Sequence, residues 1–527
     1  MIGVKPQVKR IIESDRLKIM PFVAIAVMLS VSSLLGYAVI LPDLADRQNL
    51  AAMIGANPAF NILFGRATDL TTTDGFNAWR ILALGSMFAA LMTIFLVIRN
   101  TRGAEEGGQG ELVASLPVAR TSRLASALIA ASIASVLLGT VTFLVSLLVG
   151  GGALPTALIC AGFALSGMMF AGVAGLAAQV GAQAPTATGL AVGFLGIAYV
   201  VRGYSDASAD MEWLTWASPL GWISETRPAG ENRWWPLALC VLFIAATYTA
   251  ALAMERRRDF GGALLAQKPG PERARGLSTS LVGFLTRINV GSWLGWLAAL
   301  ALVGYMFGNI GATVGQTLSR NPAMAEYLAR GAVTEEQASL GFISMILSIL
   351  GMLAAVAGIG VFTRMHREEI GHRLEVVLAT RVHRGTYLGI TALIALFTTG
   401  LCLVVAGGTM AFAVSRGDAA VSGSVVFQQA LVTIPASWLV LSVGALGVAL
   451  GTRTAFLGWV AVVVSFAITM FGPMFKAPQW LMNLSPYDHI PAMAATNPDL
   501  APAWWLLGIT ALVFAAAFAV FRRRDVA

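Results

Sequence analysis

The chain has 527 residues, 57% of them hydrophobic and only 12% charged, with a mean hydropathy of +0.75. Soluble domains carry roughly 25% charged residues, so this composition excludes a water-soluble enzyme or binding module and places the chain in a bilayer. The net charge of +8 is concentrated next to apolar segments, so it gives no reason to invoke nucleic acid. The three cysteines, Cys160, Cys240 and Cys402, fall inside apolar segments, where a lone thiol acts as a small hydrophobe.

A membrane-spanning helix needs about 20 mostly apolar residues. Twelve such segments follow one another along the chain, at 21–41, 81–98, 124–149, 154–181, 187–201, 235–254, 290–310, 341–363, 385–414, 425–451, 454–471 and 503–521. The first is too long for the apolar region of a signal peptide, and Pro42 stands where a small cleavage-site residue would be, so a retained helix is expected. Ahead of it, Val4, Val8, Ile11, Ile12 and Ile19 recur at helical spacing while Lys5, Lys9, Arg10 and Arg16 take other faces. This pattern predicts an amphipathic helix on the cytoplasmic interface. Leu281, Leu285 and Ile288 repeat it in shorter form ahead of the seventh segment.

Lys and Arg favour the cytoplasmic side of membrane proteins. With the N-terminus inside, the cytoplasmic segments hold 25 of the 35 Lys and Arg, and 12 of the 27 Asp and Glu. Both termini are therefore expected in the cytoplasm.

The chain reads as a duplication. NPAF at Asn57 recurs as NPAM at Asn321, and the same offset relates Glu105 to Glu369, Gly107 to Gly371, Glu111 to Glu375, Val118 to Val382 and Arg120 to Arg384. Further on, WLTWASP from Trp213 matches WLMNLSP from Trp480, and Trp234-Trp235 matches Trp504-Trp505. Each copy leaves the membrane with RRRD, at Arg256 and at Arg522. The expected division is a first six-helix repeat at 1–260, a Gly- and Pro-bearing cytoplasmic linker at 261–277, and a second six-helix repeat at 278–527. Two copies in one orientation imply an axis along the membrane normal, with the translocation path between the halves.

Ionisable residues are nearly missing from the interiors of the twelve segments. A charge at mid-membrane costs roughly 2.5–3.5 kcal/mol on insertion scales and is kept where a proton relay or ion site requires it. The sequence also has no G-x-x-x-x-G-K-[ST] phosphate loop. An energy source on a separate ATPase chain is the expectation, with ATP and Mg²⁺ bound by that partner and no metal or cofactor held here. The segments placed to receive force from it are RNTRGAEEGGQGELVASLPVAR at 99–120 and RMHREEIGHRLEVVLATRVHR at 364–384. Both mix charge with an apolar stripe, Leu112, Val113 and Leu116 in one, Val376, Val377 and Val382 in the other, as in a short amphipathic helix pressed on a soluble domain. The plainer readings are an interfacial helix with basic anchors, and a solvated face at Glu105 and Glu106.

The string GFNAWRILALGSMFAALMTIFLVIRNTRGAEEGGQGELVASLPVAR, with NPAFNILFG before it and SPLGWISETRPAGENRWWPL and RRRDFGGALL after it, resembles the permeases of polyketide-antibiotic (tetronasin-type) ABC exporters. The resemblance covers the first half and, more loosely, the second. It implies an all-α integral membrane protein of the ABC-2, or type V, exporter fold: two fused six-helix repeats, each with an interfacial elbow helix, a coupling helix after span two and short re-entrant helices before span six. Carried over residue by residue, Arg102, Glu105, Gly107, Glu111 and Arg120 fall in the first coupling region, and Glu369, Gly371, Glu375 and Arg384 in the second. The copies depart from each other where Leu374, Thr380 and Arg381 replace Gly110, Leu116 and Pro117.

The resemblance further implies an ATP-binding cassette ATPase partner, in two copies per permease, and hydrophobic small molecules as substrates. It makes Trp213, Trp222 and Trp480 part of an external lid, although Trp also marks the aromatic belt of any membrane protein. Asp206, Asp210 and Glu212 in the same outer region read either as a metal site or, more plainly, as a solvated acidic loop. In this fold spans one, two and five line the cavity. Phe88, Met92 and Phe95 form an i, i+4, i+7 stripe on span two, and Phe466 and Met470 lie on span eleven. Such stripes serve as adaptable ligand surfaces or as ordinary helix packing. Two other classes compete: a proton-driven twelve-helix multidrug exporter, and a membrane enzyme acting on lipid, which would need polar groups clustered at one depth.

Overall fold

The chain was analysed as a computed structural model that describes residues 3–56, 61–62, 64–107, 118–207, 209–258, 262, 276–318, 335–417, 421–451, 453–471, 478–493 and 498–524. Helices account for the regular structure, with no strand among the described residues. The chain divides into two units, Met1–Gly270 and Pro271–Ala527.

The first unit begins with α1, Val4–Ile40, which runs unbroken through Pro21. The amphipathic segment and the first span, expected as separate elements, are therefore one helix. Val4, Ile11 and Ile19 are buried along it, which is why the apolar spacing was visible from the first turn. A short α2, Leu44–Ala56, follows. Next come α3, Thr73–Ile98, then α4, Ser122–Leu148, α5, Ala153–Val180, and α6, Ala184–Ala207. Thr72 caps α3 by accepting the Gly75 N–H. Beyond α6 a 3₁₀ turn, Ala209–Ala217, and α7, Pro219–Ser224, lead into α8, Pro236–Arg257.

The second unit contains α9, Leu281–Leu318, α10, Glu335–Ile370, α11, Arg373–Leu378, α12, Arg384–Arg416, α13, Gly423–Leu450, α14, Leu457–Phe471, α15, Gln479–Met482, a 3₁₀ turn at Pro486–His489, and α16, Ala501–Arg523. The same pairs pack in both units. In the first, α1 lies on α4, α3 on α5, α4 on α5, and α5 on α8; in the second, α9 lies on α12, α10 on α13, α12 on α13, and α13 on α16.

Eleven helices among the described residues are long and apolar enough to cross a membrane, against twelve expected. The difference lies at α14, whose 15 described residues, Leu457–Phe471, span about 22 Å at 1.5 Å per residue.

Small residues bring the central helices together, since apolar burial gives little drive between helices in lipid. A Cβ on Gly85 of α3 would lie 2.2 Å from the Phe163 ring of α5. In the second unit, Gly304 and Gly308 of α9 form a G-x-x-x-G pair whose Cβ positions fall 2.3 Å from the Ala406 carbonyl and 2.6 Å from that of Met410 on α12. No other residue type allows these backbones to approach so closely.

Candidate functional site

One end of the first unit is organised by buried charge. α3 passes into a π-helical turn, Arg99–Gly103, and a last helical turn, Ala104–Glu106; π turns of this kind recur at functional sites. The Arg102 side chain in that turn is only 1% exposed. Its Nη1 donates to Glu105 Oε2 at 2.8 Å, its Nη2 to the Gly262 carbonyl at 2.9 Å, and its Nε to the Ala178 carbonyl. Arg258, just past α8, donates to the same Ala178 carbonyl at 3.3 Å and to Glu105. Arg123 at the start of α4 donates to Glu105 and, at 3.3 Å, to Glu255 of α8.

Glu105 thus accepts from arginines on three elements and ties the end of α3 to α4, α5 and α8. Because it is the shared partner of three arginines in a site of low dielectric, removing Glu105 itself is the costly change, typically a loss of about 3–5 kcal/mol. A second anchor sits nearby on the same face of the chain. Asp15 of α1, 1% exposed, takes Arg99 Nη1 at 2.8 Å and Lys18 Nζ at 3.1 Å, and accepts from Asn100 Nδ2 at 2.8 Å.

The second unit carries a reduced version. Glu369, near the end of α10 and 1% exposed, accepts from Arg524, which follows α16. Arg524 Nη1 donates to the Val448 carbonyl of α13 at 3.0 Å, matching the bond from Arg258 to Ala178. Arg384 Nη1 donates to the Arg524 carbonyl at 2.6 Å. Where the first unit has Arg102, Arg123 and Glu255, the second has His366, Tyr387 and Phe521. One carboxylate and one arginine remain of the five-membered cluster.

The model of the family described as multidrug efflux system permease Rv1217c, C-terminal domain, matches residues 21–256 and 279–522. The multidrug efflux system permease protein Rv1217c of Mycobacterium tuberculosis (strain ATCC 25618 / H37Rv) is 33% identical over 497 residues, which is 92% of this chain and 88% of that protein. The chain belongs to the Rv1217c family of multidrug efflux permeases. The finer polyketide-antibiotic, tetronasin-type assignment is not part of what these matches show.

In this Rv1217c-family chain the predicted coupling residues fall in different places. Glu105 and Glu369 are buried in the clusters above, not displayed on a short amphipathic helix. Gly107 and Gly371 close the last turns through N–H bonds to the Gly103 and Arg367 carbonyls, at 3.1 and 3.0 Å. Glu375 lies on the six-residue α11 and its carboxylate accepts from His372 Nδ1 at 2.7 Å; α11 starts afresh because His372 takes the left-handed conformation, φ 55°. Arg120 is exposed. Glu111 lies outside the described residues. The neighbouring Glu106 accepts the Ala184 N–H at 2.6 Å and so caps α6, where a negative charge suits the positive end of the helix dipole.

At the opposite end of the first unit, α6 runs past the predicted end of span five and carries Arg202 and Asp206 into the fold. Their side chains are 1% and 6% exposed and meet at 3.3 Å. Arg202 Nη2 also donates to the Ile62 carbonyl at 3.0 Å, and the guanidinium lies 4.6 Å from the Tyr199 ring centre. The acidic outer trio is therefore split: Asp206 pairs with Arg202 inside, Glu212 with Arg66 outside at 2.7 Å, and the Asp210 side chain is outside the described set. The Ser-Pro pairs pin the outer turns. Ser218 Oγ donates to the Ala198 carbonyl at 2.7 Å, and Ser485 Oγ meets Thr469 Oγ1 of α14 at 2.8 Å.

Among the expected lid tryptophans, Trp222 is anchored, its Nε1 donating to the Trp216 carbonyl at 2.8 Å and its ring edge-on to Phe243. Trp213 and Trp480 are exposed, at 66% and 72%. The stripe on α3 is divided in the same way. Met92 is packed in the core, Phe88 is half-buried and Phe95 exposed; on α14, Phe466 is exposed and Met470 half-buried.

Sequence reasoning missed Asp15, Arg123, Glu255, Arg258 and Arg524. The duplicated RRRD exit was the available signal for two of them, because a third arginine held at the same place in both copies is not required for anchoring to a membrane.

Proposed function

We propose that the chain is the membrane-spanning permease of an ABC exporter that moves hydrophobic compounds, polyketide antibiotics or other lipophilic drugs, outward across a bacterial cell membrane. Power comes from a separate ATP-binding cassette ATPase, two copies per permease, which holds the ATP and Mg²⁺. The observation that carries this reading is the buried tie in each unit, Glu105 to Arg258 and Glu369 to Arg524. It makes the inner end of the second long helix rigid with the fourth and sixth, so force applied at the inner loop is transmitted to the bundle and not lost in a floppy segment. The name of the mycobacterial relative supports the drug-efflux part.

In this reading 99–120 and 364–384 are the coupling segments, with the short α11 offering its exposed Val376 to the ATPase. Both termini lie in the cytoplasm. The carboxylates Glu105 and Glu369 hold the segments in position from behind. The test is reconstitution in liposomes with the cognate ATPase. Efflux of a lipophilic dye should require ATP and survive collapse of the proton gradient.

A proton-driven exporter is the second reading, and buried Asp206 in α6 is the observation that favours it. It requires the opposite result: efflux that stops with the gradient and ignores ATP.

A further inference from the structure

The two ties differ in one respect that the duplication makes legible. All four histidines of the chain lie in the second unit, and three of them, His366, His372 and His383, lie in its inner segment 364–384. His366 stands where the first unit has Arg102. Arg102 gives Glu105 Oε2 a permanent partner at 2.8 Å. In the second unit Glu369 Oε1 is held by Arg524, while Oε2 is buried with no hydrogen-bond partner. His366 Nδ1 is likewise buried and without a partner, and it lies 3.9 Å from that oxygen. We infer that the second inner segment is a proton-responsive latch, in which protonation of His366 supplies the missing second arm to Glu369.

The atoms present support this reading. A carboxylate oxygen left unsatisfied in a buried site costs free energy, and 3.9 Å from it lies an unpartnered imidazole nitrogen, on the side chain whose charge changes between about pH 5 and 8. The other charged or titratable groups at this end of the surrounding elements are Arg364, Arg367 and Glu368 on α10, Arg373 and Glu375 with His372 at α11, Arg381, His383, Arg384 and Tyr387 at and before the start of α12, Arg522 to Arg524 at the end of α16, Arg453 after α13, and Arg287 on α9; α13 and α14 bring none. The competing anions are engaged elsewhere, Glu368 by Arg373 Nε at 2.8 Å and Glu375 by His372 at 2.7 Å. The neutral imidazole leaves the latch with one arm. The imidazolium gives it two, as the arginine does permanently in the first unit. Acidification on the inner side therefore tightens the second segment, and alkalinisation frees it, whichever energy source drives transport.

The experiment uses the full chain in liposomes with a nitroxide label at Thr380→Cys, an exposed position just after α11; the three native cysteines are buried. Label mobility is recorded from pH 5 to 8.5. The wild-type background should show a single transition, mobile at high pH and restrained at low pH. H366Q should stay mobile and H366R restrained at every pH, each losing most of the transition, and E369Q should also lose it. H372Q and H383Q should keep it. A flat wild-type profile, a transition that survives H366Q, or one abolished by H372Q or H383Q instead, overturns the inference.

Discussion

Arg258 and Arg524, the third arginines of two identical RRRD sequences, hold equivalent partners: a buried carboxylate at the C-terminal end of the second long helix of their unit, Glu105 or Glu369, and a carbonyl two residues before the end of the fourth, Ala178 or Val448. The pair of bonds has been kept in both units while the residues around them have changed.

The first consequence concerns the carboxylates. E105Q takes the shared carboxylate from three arginines and should lower stability by about 3–5 kcal/mol. E369Q strands one arginine that keeps its carbonyl partner, and should cost about 1–3 kcal/mol. Thermal unfolding of the two purified variants checks the order. Equal losses would show that the extra arginines of the first unit contribute nothing.

The outer ion pair predicts a non-additive cycle. R202M and D206L each leave one buried charge alone, at about 3–5 kcal/mol each, whereas the double variant removes both and should fall well short of the sum. The same variants serve a second purpose in dye efflux. If D206N retains ATP-dependent efflux, Asp206 is a structural partner of Arg202 and carries no transported proton.

Close helix contact gives a third. G85A places a methyl group 2.2 Å from the fully buried Phe163 ring and should cost about 1–3 kcal/mol by overpacking. F163L on the same background should restore part of it. No rescue would mean that the strain arises in the α3 backbone.

Of the fold, the apolar segments were legible because membrane burial demands long apolar runs; WLTWASP and WLMNLSP carry Ser218 and Ser485, which hold comparable turns in the two units. The end of span five was misplaced for a physical reason. Arg202 and Asp206 look like the start of an aqueous loop, yet an i, i+4 pair of opposite charge neutralises itself on one helix face and can stay inside. The break before α14 was legible, because Gly451 and Arg453 interrupt the apolar run. Of the candidate site, Glu105 and Glu369 were visible through their common offset. Their partners were not, because Arg123, Glu255 and the RRRD arginines come from segments remote in sequence, brought together only by packing.

Glu105 and Glu106 are adjacent in sequence but pull on different helices: one reaches Arg123 and Arg258 at the ends of α4 and α8, the other the first N–H of α6. A displacement of this dipeptide by a single ångström would act as a crank on three membrane helices at once.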